Sequence, residues 1–146
     1  MTREILFRGY CPDLGRWIYG DLLHCGSELT EHYTRIEPRL SIAEEGIPAH
    51  EVDQRTVGMC SGFNGFGDKK LYDGDVCHVL NHEELRGIVK YSSYYGKWLF
   101  EFEDKKFKNQ TVLEGGKIEL YNCYLCLVKN GTIYDEYIKE KWGCGE

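Results

Sequence analysis

Aromatic side chains placed beside cations are the feature of this sequence that most suggests binding chemistry. Aromatic faces stack on nucleobases and arginine pairs with phosphate, so the set predicts a pocket for a nucleotide or a single strand. The alternative is that the same aromatics fill a small β core and bury interfaces. The predicted binding residues of this set are Arg8, Trp17, Tyr19, Arg55, Tyr72, Tyr94, Tyr95 and Trp98.

Tyr94 and Tyr95 are the hardest of these residues to place in a core. They lie in a short loop between residues 86–91 and 97–103, two segments whose polar and apolar residues alternate as in the strands of a hairpin. Hairpin tips are normally solvated. An exposed aromatic pair at this tip would favour a surface that binds a partner.

A glycine-rich segment could hold an anion. Gly62-x-x-Gly65-x-Gly67 offers backbone N–H groups that could cradle a phosphate. Phosphate loops of this kind lead into a helix, whereas residues 69–74 indicate another turn and strand. The sequence therefore favours a plain hairpin turn, and Lys69 beside it keeps an anion contact open as a further predicted binding residue.

Cys123 and Cys126 have the spacing of zinc ligands or of a redox pair. A zinc site needs two more ligands, and Cys77, His78 and His82 are the remaining candidates. No second pair stands at the spacing of a zinc finger, so buried structural thiols are favoured over a metal site. We therefore predict no cofactor.

Catalysis has no specific support in the sequence. Cys60, His78 and Asp75 could supply a nucleophile, a base and an orienting acid, but most proteins of this composition offer such a set. No nucleophile elbow, metalloprotease motif or dinucleotide fingerprint is present. We predict that the protein is not an enzyme.

Charge and hydropathy narrow the classes further. The chain has 146 residues and a formal net charge of −6, which disfavours non-specific binding to nucleic acid. No segment has the ~18 consecutive apolar residues of a membrane span. The charged N-terminus lacks the apolar region of a signal peptide, so we expect a cytoplasmic protein whose cysteines are thiols.

Strand-like segments separated by turns predict the elements that position these residues. Residues 4–10 and 16–21 predict an opening β-hairpin, and residues 55–60, 76–80, 86–91 and 97–103 predict further strands. The apolar run 119–128 is compatible with a buried strand or a short helix, and 132–138 predicts a final strand. The fold class expected is mostly β, with a β-rich α+β arrangement as the alternative.

The segment 26–50 has weak periodicity and many acidic residues, which are typical of a solvated connection. A short helix around 41–45 is the only element it suggests. We therefore expect one domain spanning 1–146, with an acidic insertion at about 26–50.

Three blocks of this sequence together match the pattern of a known protein family. The first is Phe7-Arg8 followed by Arg16-Trp17-Ile18-Tyr19-Gly20-Asp21. The central block comprises Val52-Asp53, Thr56-Val57-Gly58, Ser61-Gly62 and Asp68-Lys69-Lys70-Leu71-Tyr72-Asp73-Gly74-Asp75-Val76. The closing block comprises Gly87-Ile88-Val89, Phe100-Glu101-Phe102 and Asn130-Gly131-Thr132-Ile133-Tyr134. With these blocks the chain resembles the YopX family of phage and prophage proteins. The resemblance implies a mostly β domain with a small SH3-like barrel or roll at the centre and a tendency to self-associate, but no activity. Around that centre we expect short helical or irregular insertions.

The aromatic set predicts a binding protein, and the resemblance implies that it is a phage- or prophage-encoded accessory. It would inhibit or sequester a host defence factor or its nucleotide signal in the bacterial cytosol, as a homo-oligomer and without catalysis. One alternative is a small-barrel module that binds nucleic acid, which the net charge disfavours. The other alternative is a small nucleotide hydrolase.

Overall fold

A computed structural model describes residues 6–25, 33–37, 50–108, 110–111, 113 and 115–143. Over these residues the chain forms eleven strands and one α-helix. The strands are β1 Phe7–Cys11, β2 Arg16–Cys25, β3 Tyr33–Glu37, β4 His50–Val52, β5 Gly58–Asn64, β6 Lys70–Tyr72, β7 Asp75–Val79, β8 His82–Ser92, β9 Lys97–Phe102, β10 Lys117–Glu119 and β11 Leu127–Thr132, and helix α1 is Asp135–Trp142.

The mostly-β prediction is confirmed, since strands predominate and the paired strands form antiparallel sheets. The SH3-like barrel stays a prediction, because no pairing between the described residues closes a sheet into a barrel. The described chain separates into two compact units, one made of residues 1–59 and 136–146 and the other of residues 60–135. The expectation of one domain over 1–146 stays a prediction.

The first unit is built on the predicted N-terminal hairpin. β1 pairs antiparallel with β2, from Phe7 opposite Gly20 to Cys11 opposite Arg16. β3 and β4 extend the sheet beyond β2, and the first residues of β5 pair with β1. The buried side chains of this sheet include those of Cys11, Ile18 and Val52, against which Phe7, Leu22 and Val57 pack.

The second unit contains a five-stranded antiparallel sheet with the order β10-β9-β8-β7-β11. Its core side chains, all fully buried, are Leu71, Cys77, Val89, Phe100, Leu120 and Leu127. Where β8 pairs with β9, the two backbones lie so close together that a Cβ on Gly87 would clash with the Glu101 carbonyl oxygen. Only glycine fits there without displacing backbone.

The glycine-rich segment 61–68 leads into the hairpin turn that the sequence favoured, but its first four residues, 61–64, belong to strand β5. β5 runs on to Asn64, which lies opposite Lys70 of β6 in an antiparallel pair. Gly67 and Asp68 adopt positive φ values, and Asn64 Nδ2 donates to Asp68 Oδ1 over 2.8 Å. The segment thus leads into a strand, without the helix N-terminus that a phosphate loop needs.

Two sequence predictions are wrong in detail, one at residues 54–56 and one at residues 132–138. Residues 54–56 form a 3₁₀ turn rather than the start of a strand, because the Asp53 side chain accepts the Arg55 N–H and caps the turn. The run 119–128, for which a buried strand and a short helix were both compatible, contains two short 3₁₀ turns, Leu120–Asn122 and Tyr124–Cys126, between the end of β10 and the start of β11.

The predicted final strand over 132–138 is also wrong, because Thr132 and Asp135 form hydrogen bonds in the turn that leads from β11 into helix α1. The Thr132 N–H donates to Asp135 Oδ2 (3.0 Å), and the Tyr134 N–H donates to Thr132 Oγ1 (3.0 Å). These side-chain bonds to the backbone satisfy N–H groups of that turn. Within the acidic segment the structure places the unpredicted strand β3, while the short helix expected at 41–45 lies outside the described residues.

Candidate functional site

The tip of the β8–β9 hairpin gathers four aromatic residues of the second unit, which we call the aromatic tip: Tyr91, Tyr94, Tyr95 and Trp98. Strand pairing continues up to Ser92 opposite Lys97. The loop is then closed by the Gly96 N–H, which donates to the Ser92 carbonyl (2.7 Å), and by the Tyr95 N–H, which donates to Ser92 Oγ (3.2 Å). Gly96 has φ +67°, a conformation that glycine adopts at little cost. The tip is therefore a defined turn.

The aromatic tip presents tyrosine rings to solvent. Tyr94 is 88% exposed, and its ring meets that of Tyr95 edge-on at a centroid distance of 4.9 Å. Tyr91, 47% exposed, lies edge-on to Trp98 at 5.5 Å. Trp98 also packs against the hydrophobic core of the second unit, and this contact holds the end of the hairpin in place. Edge-on pairs of this kind are worth about 0.5–1.5 kcal/mol beyond area burial, which favours fixed ring positions.

The cations along this hairpin are engaged by carboxylates. Lys90 Nζ lies 2.8 Å from Glu101 Oε1, and Lys97 Nζ lies 3.1 Å from Glu119 Oε2. These pairs leave the strands near the tip with little net positive charge. The surface is thus aromatic and close to neutral, which suits a protein partner better than a phosphate backbone.

Arg8, Trp17 and Tyr19 lie close together in the first unit, on the β1–β2 hairpin. Arg8 stands opposite Tyr19 in the strand register, and its Cζ lies 4.7 Å from the centre of the Trp17 ring. Arg8 is only 1% exposed, however, so its guanidinium is not presented to solvent. Tyr19 is the exposed member of the three.

Arg55 belongs to a different cluster of the first unit, centred on Asp53. Its Cζ lies 4.7 Å from the Tyr137 ring of helix α1. Asp53 Oδ2 accepts the hydroxyl of Tyr137 (2.6 Å) and the indole N–H of Trp142 (3.0 Å), while Oδ1 accepts the Arg55 N–H (3.0 Å). Burial by itself would raise the pKa of Asp53. The three hydrogen bonds and the positive charge of Lys141 have the opposite and larger effect, so the pKa of Asp53 is lowered.

A cleft of about 270 Å³ adjoins this cluster in the first unit. Its lining includes the carboxylates of Asp13, Glu51 and Asp53 and one cation, Lys141. Three carboxylates against one ammonium disfavour a nucleotide phosphate. The structure therefore does not join the predicted arginines into a phosphate pocket.

Lys69 and Tyr72 do not form a shared site in the second unit. Lys69 is exposed in the β5–β6 turn, whereas Tyr72 is 2% exposed. Tyr72 lies below Lys129, whose Nζ is 5.3 Å from the ring centre and 3.2 Å from buried Asp75. Of the predicted binding residues in the second unit, Tyr94, Tyr95 and Trp98 therefore share one element, the β8–β9 hairpin.

In the Cys123-x-x-Cys126 pair, Cys123 lies between the two 3₁₀ turns, Cys126 ends the second turn, and both residues are partly buried. Burial, with a contribution from Cys126, raises the pKa of the Cys123 thiol to about 12, which opposes the thiolate that zinc requires. His78 Nδ1 is 2.9 Å from Asn130 Oδ1. Over the part of the chain that the structure describes, no group of three or more His, Cys, Asp or Glu side chains could hold a metal.

Exposed apolar side chains beside the glycine turn were missed by the sequence analysis. Phe66 is 48% exposed and Leu125 is 69% exposed. Phe66 also lines a surface cleft together with Leu80 and Val128. A phenylalanine between two glycines of a turn was the available signal, because a turn residue has little chance of reaching a core.

Comparison with known proteins leaves the family open: no family model matches the chain, and no curated protein matches it. The YopX resemblance therefore stays a prediction. Of the helical residues described, none belong to a helix long and apolar enough to cross a membrane.

Proposed function

We propose that this protein is a non-catalytic binding protein that captures a protein target through its aromatic tip. The observation that carries the proposal is Tyr94, 88% exposed on a loop whose backbone is closed by two hydrogen bonds to Ser92. A tyrosine held in water at a fixed position gains most when a partner covers it.

The chemistry of the tip supports a protein target. Tyrosine and tryptophan are enriched among the residues that dominate binding energy, because they offer a large surface at a small cost in side-chain entropy. Tyr91, 47% exposed and edge-on to Trp98, adds a further tyrosine ring on the strand beside the loop. Lys90 and Lys97 are engaged by carboxylates, so electrostatic attraction of a nucleotide is weak here.

The YopX resemblance suggests what kind of target the protein binds. In the proposed role, the protein is phage- or prophage-encoded, acts in the bacterial cytosol as a homo-oligomer, and inhibits or sequesters a host factor. The net charge of −6 favours a basic surface on that factor.

Comparative affinity purification from a bacterial lysate tests the proposal. The baits are the wild type, the double variant Tyr94→Ser/Tyr95→Ser, and Tyr121→Ser as a control, since Tyr121 is also an exposed tyrosine (69%) of the second unit. We expect a protein that the wild type and the control recover and that the double variant loses. Recovery that is equal with all three baits would contradict the proposal.

A nucleotide release assay separates the remaining alternatives. The purified protein is incubated with a nucleotide panel and denatured, and the released compounds are identified by mass spectrometry. We expect no retained and no altered nucleotide. Retained intact nucleotide would indicate sequestration of a small signal, and altered nucleotide would indicate a hydrolase.

A further inference from the structure

A second surface of the 60–135 unit combines an apolar lining with acidic residues, and we call it the Phe66 cleft. It has a volume of about 550 Å³, within the range of roughly 300–1,000 Å³ common for ligand clefts. Its apolar walls are the side chains of Phe66, Leu80 and Val128. Its polar lining includes His78, Glu83 and Glu84.

The walls of the Phe66 cleft are fixed by backbone hydrogen bonds. The Phe66 N–H donates to the Leu127 carbonyl (2.9 Å), and the Leu80 N–H donates to the Cys126 carbonyl (2.7 Å). Val128 lies opposite His78 in the β7–β11 pair. The cleft is therefore formed before any partner binds, which lowers the entropic cost of filling it.

The charge of the Phe66 cleft is negative. Glu83 and Glu84 are exposed, and no lysine or arginine is among the described residues that line the cleft. Glu84 lies 3.6 Å from His82 Nδ1, whereas no ion pair between described residues involves Glu83. At neutral pH an apolar cleft with this rim attracts cations and repels anions.

We infer that the Phe66 cleft binds one arginine or lysine side chain from a peptide segment of the protein target, an inference that rests on the proposed function. The aliphatic stem of such a side chain lies along Leu80 and Val128, as long basic residues do on apolar surfaces. Its charged head pairs with Glu83 and Glu84, and the exposed Phe66 ring adds a cation–π contact. A wholly apolar segment would leave the two glutamates without a charged partner, and an acidic segment would be repelled by them.

A displayed library of random twelve-residue peptides tests the inference with a defined probe. Full-length wild type, Phe66→Ser, Tyr94→Ser and the double variant Glu83→Gln/Glu84→Gln are panned in parallel. We expect wild type and Tyr94→Ser to enrich peptides with arginine or lysine beside an apolar residue. Phe66→Ser and the double glutamine variant should lose that enrichment.

A double-mutant cycle on one synthesised peptide then measures the charge pairing. Replacing its basic residue with norleucine should weaken binding to wild type about five- to tenfold, the effect expected of one or two exposed ion pairs. The same replacement should change binding to the Glu83→Gln/Glu84→Gln variant less than twofold, since the pairing is already absent there.

Several outcomes would overturn the inference. They are enrichment of acidic peptides, equal enrichment by Phe66→Ser, and a norleucine effect that is the same in both proteins. A native mass that falls from dimer to monomer on Phe66→Ser would assign the cleft to a second copy of the chain and overturn it as well. None of these outcomes bears on the aromatic tip, because the proposed function is tested separately by Tyr94→Ser/Tyr95→Ser.

Discussion

Replacement of Asp53 by alanine should destabilise the unit formed by residues 1–59 and 136–146. The change removes acceptors for three donors, namely the Arg55 N–H, the Tyr137 hydroxyl and the Trp142 indole N–H. Hydrogen bonds to a charged group each stabilise a fold by about 1.5–3 kcal/mol. Because the site is half-buried, water can bond the freed donors in the alanine variant, which offsets part of that loss. We therefore expect a total loss of about 2 kcal/mol.

Urea unfolding measures this loss. With a slope of about 1–3 kcal/mol/M, the midpoint should fall by roughly 1 M. In the Asp53→Ala variant, amide hydrogen exchange should become faster first in helix α1, because Tyr137 and Trp142 of that helix donate hydrogen bonds to Asp53 in the wild type. Asp13→Ala is the control, because Asp13 is an exposed carboxylate of the same unit. Equal losses in the two variants, or an unchanged midpoint for Asp53→Ala, would refute the reasoning.

The pH dependence of the Asp53 effect follows from the direction of its pKa. The hydrogen bonds to Asp53 lower its pKa in the folded state below the unfolded value of about 3.9. Its ionised form therefore stabilises the fold fully above about pH 5, and this contribution is lost as the pH falls through the folded pKa. The difference in stability between wild type and Asp53→Ala should be constant from pH 8 to 5 and narrow below about pH 4. A difference that widens in acid would contradict this sign.

Three further predictions concern the 60–135 unit. Gly87→Ala should destabilise by about 1–3 kcal/mol in urea unfolding, because its Cβ would meet the Glu101 carbonyl oxygen at 2.4 Å; an unchanged midpoint would contradict this. Phe100→Ala should cost about 3–5 kcal/mol in the same assay, because Phe100 is fully buried in the core. Cys123 should resist alkylation at pH 8, since its pKa is about 12, and react once the chain is unfolded; rapid labelling of the folded protein, read by peptide mass spectrometry, would refute this.

The hairpins were predictable because their signals are local. Two-residue alternation on both sides of a short turn predicted β1–β2 and β8–β9, and glycine spacing predicted the β5–β6 turn. The 3₁₀ turns over 120–126 were not predictable, because an apolar run of that length fits several backbone conformations. Helix α1 had a signal in Thr132-x-x-Asp135, but the β-branched and aromatic residues around it favoured a strand.

The candidate site was predictable only where sequence position decides exposure. Tyr94 could be assigned to solvent because it lies at a hairpin tip, whereas Tyr95 of the same tip is half-buried. The burial of Arg8 and Tyr72 was not visible, since it depends on packing within each unit rather than on residue type. The Phe66 cleft was missed because the β5–β6 turn, the β7–β8 turn and β11, which form it, are far apart in sequence.

The most direct test of the central claim is a binding isotherm, by calorimetry, for the purified target recovered with the wild-type bait. Wild type and Tyr121→Ser should bind it with the same affinity, whereas Tyr94→Ser/Tyr95→Ser should lose about 2 kcal/mol or more, roughly a thirtyfold rise in Kd. Circular dichroism should show that the double variant keeps its β structure. Equal affinity of the double variant and wild type would contradict the claim that the aromatic tip binds the target.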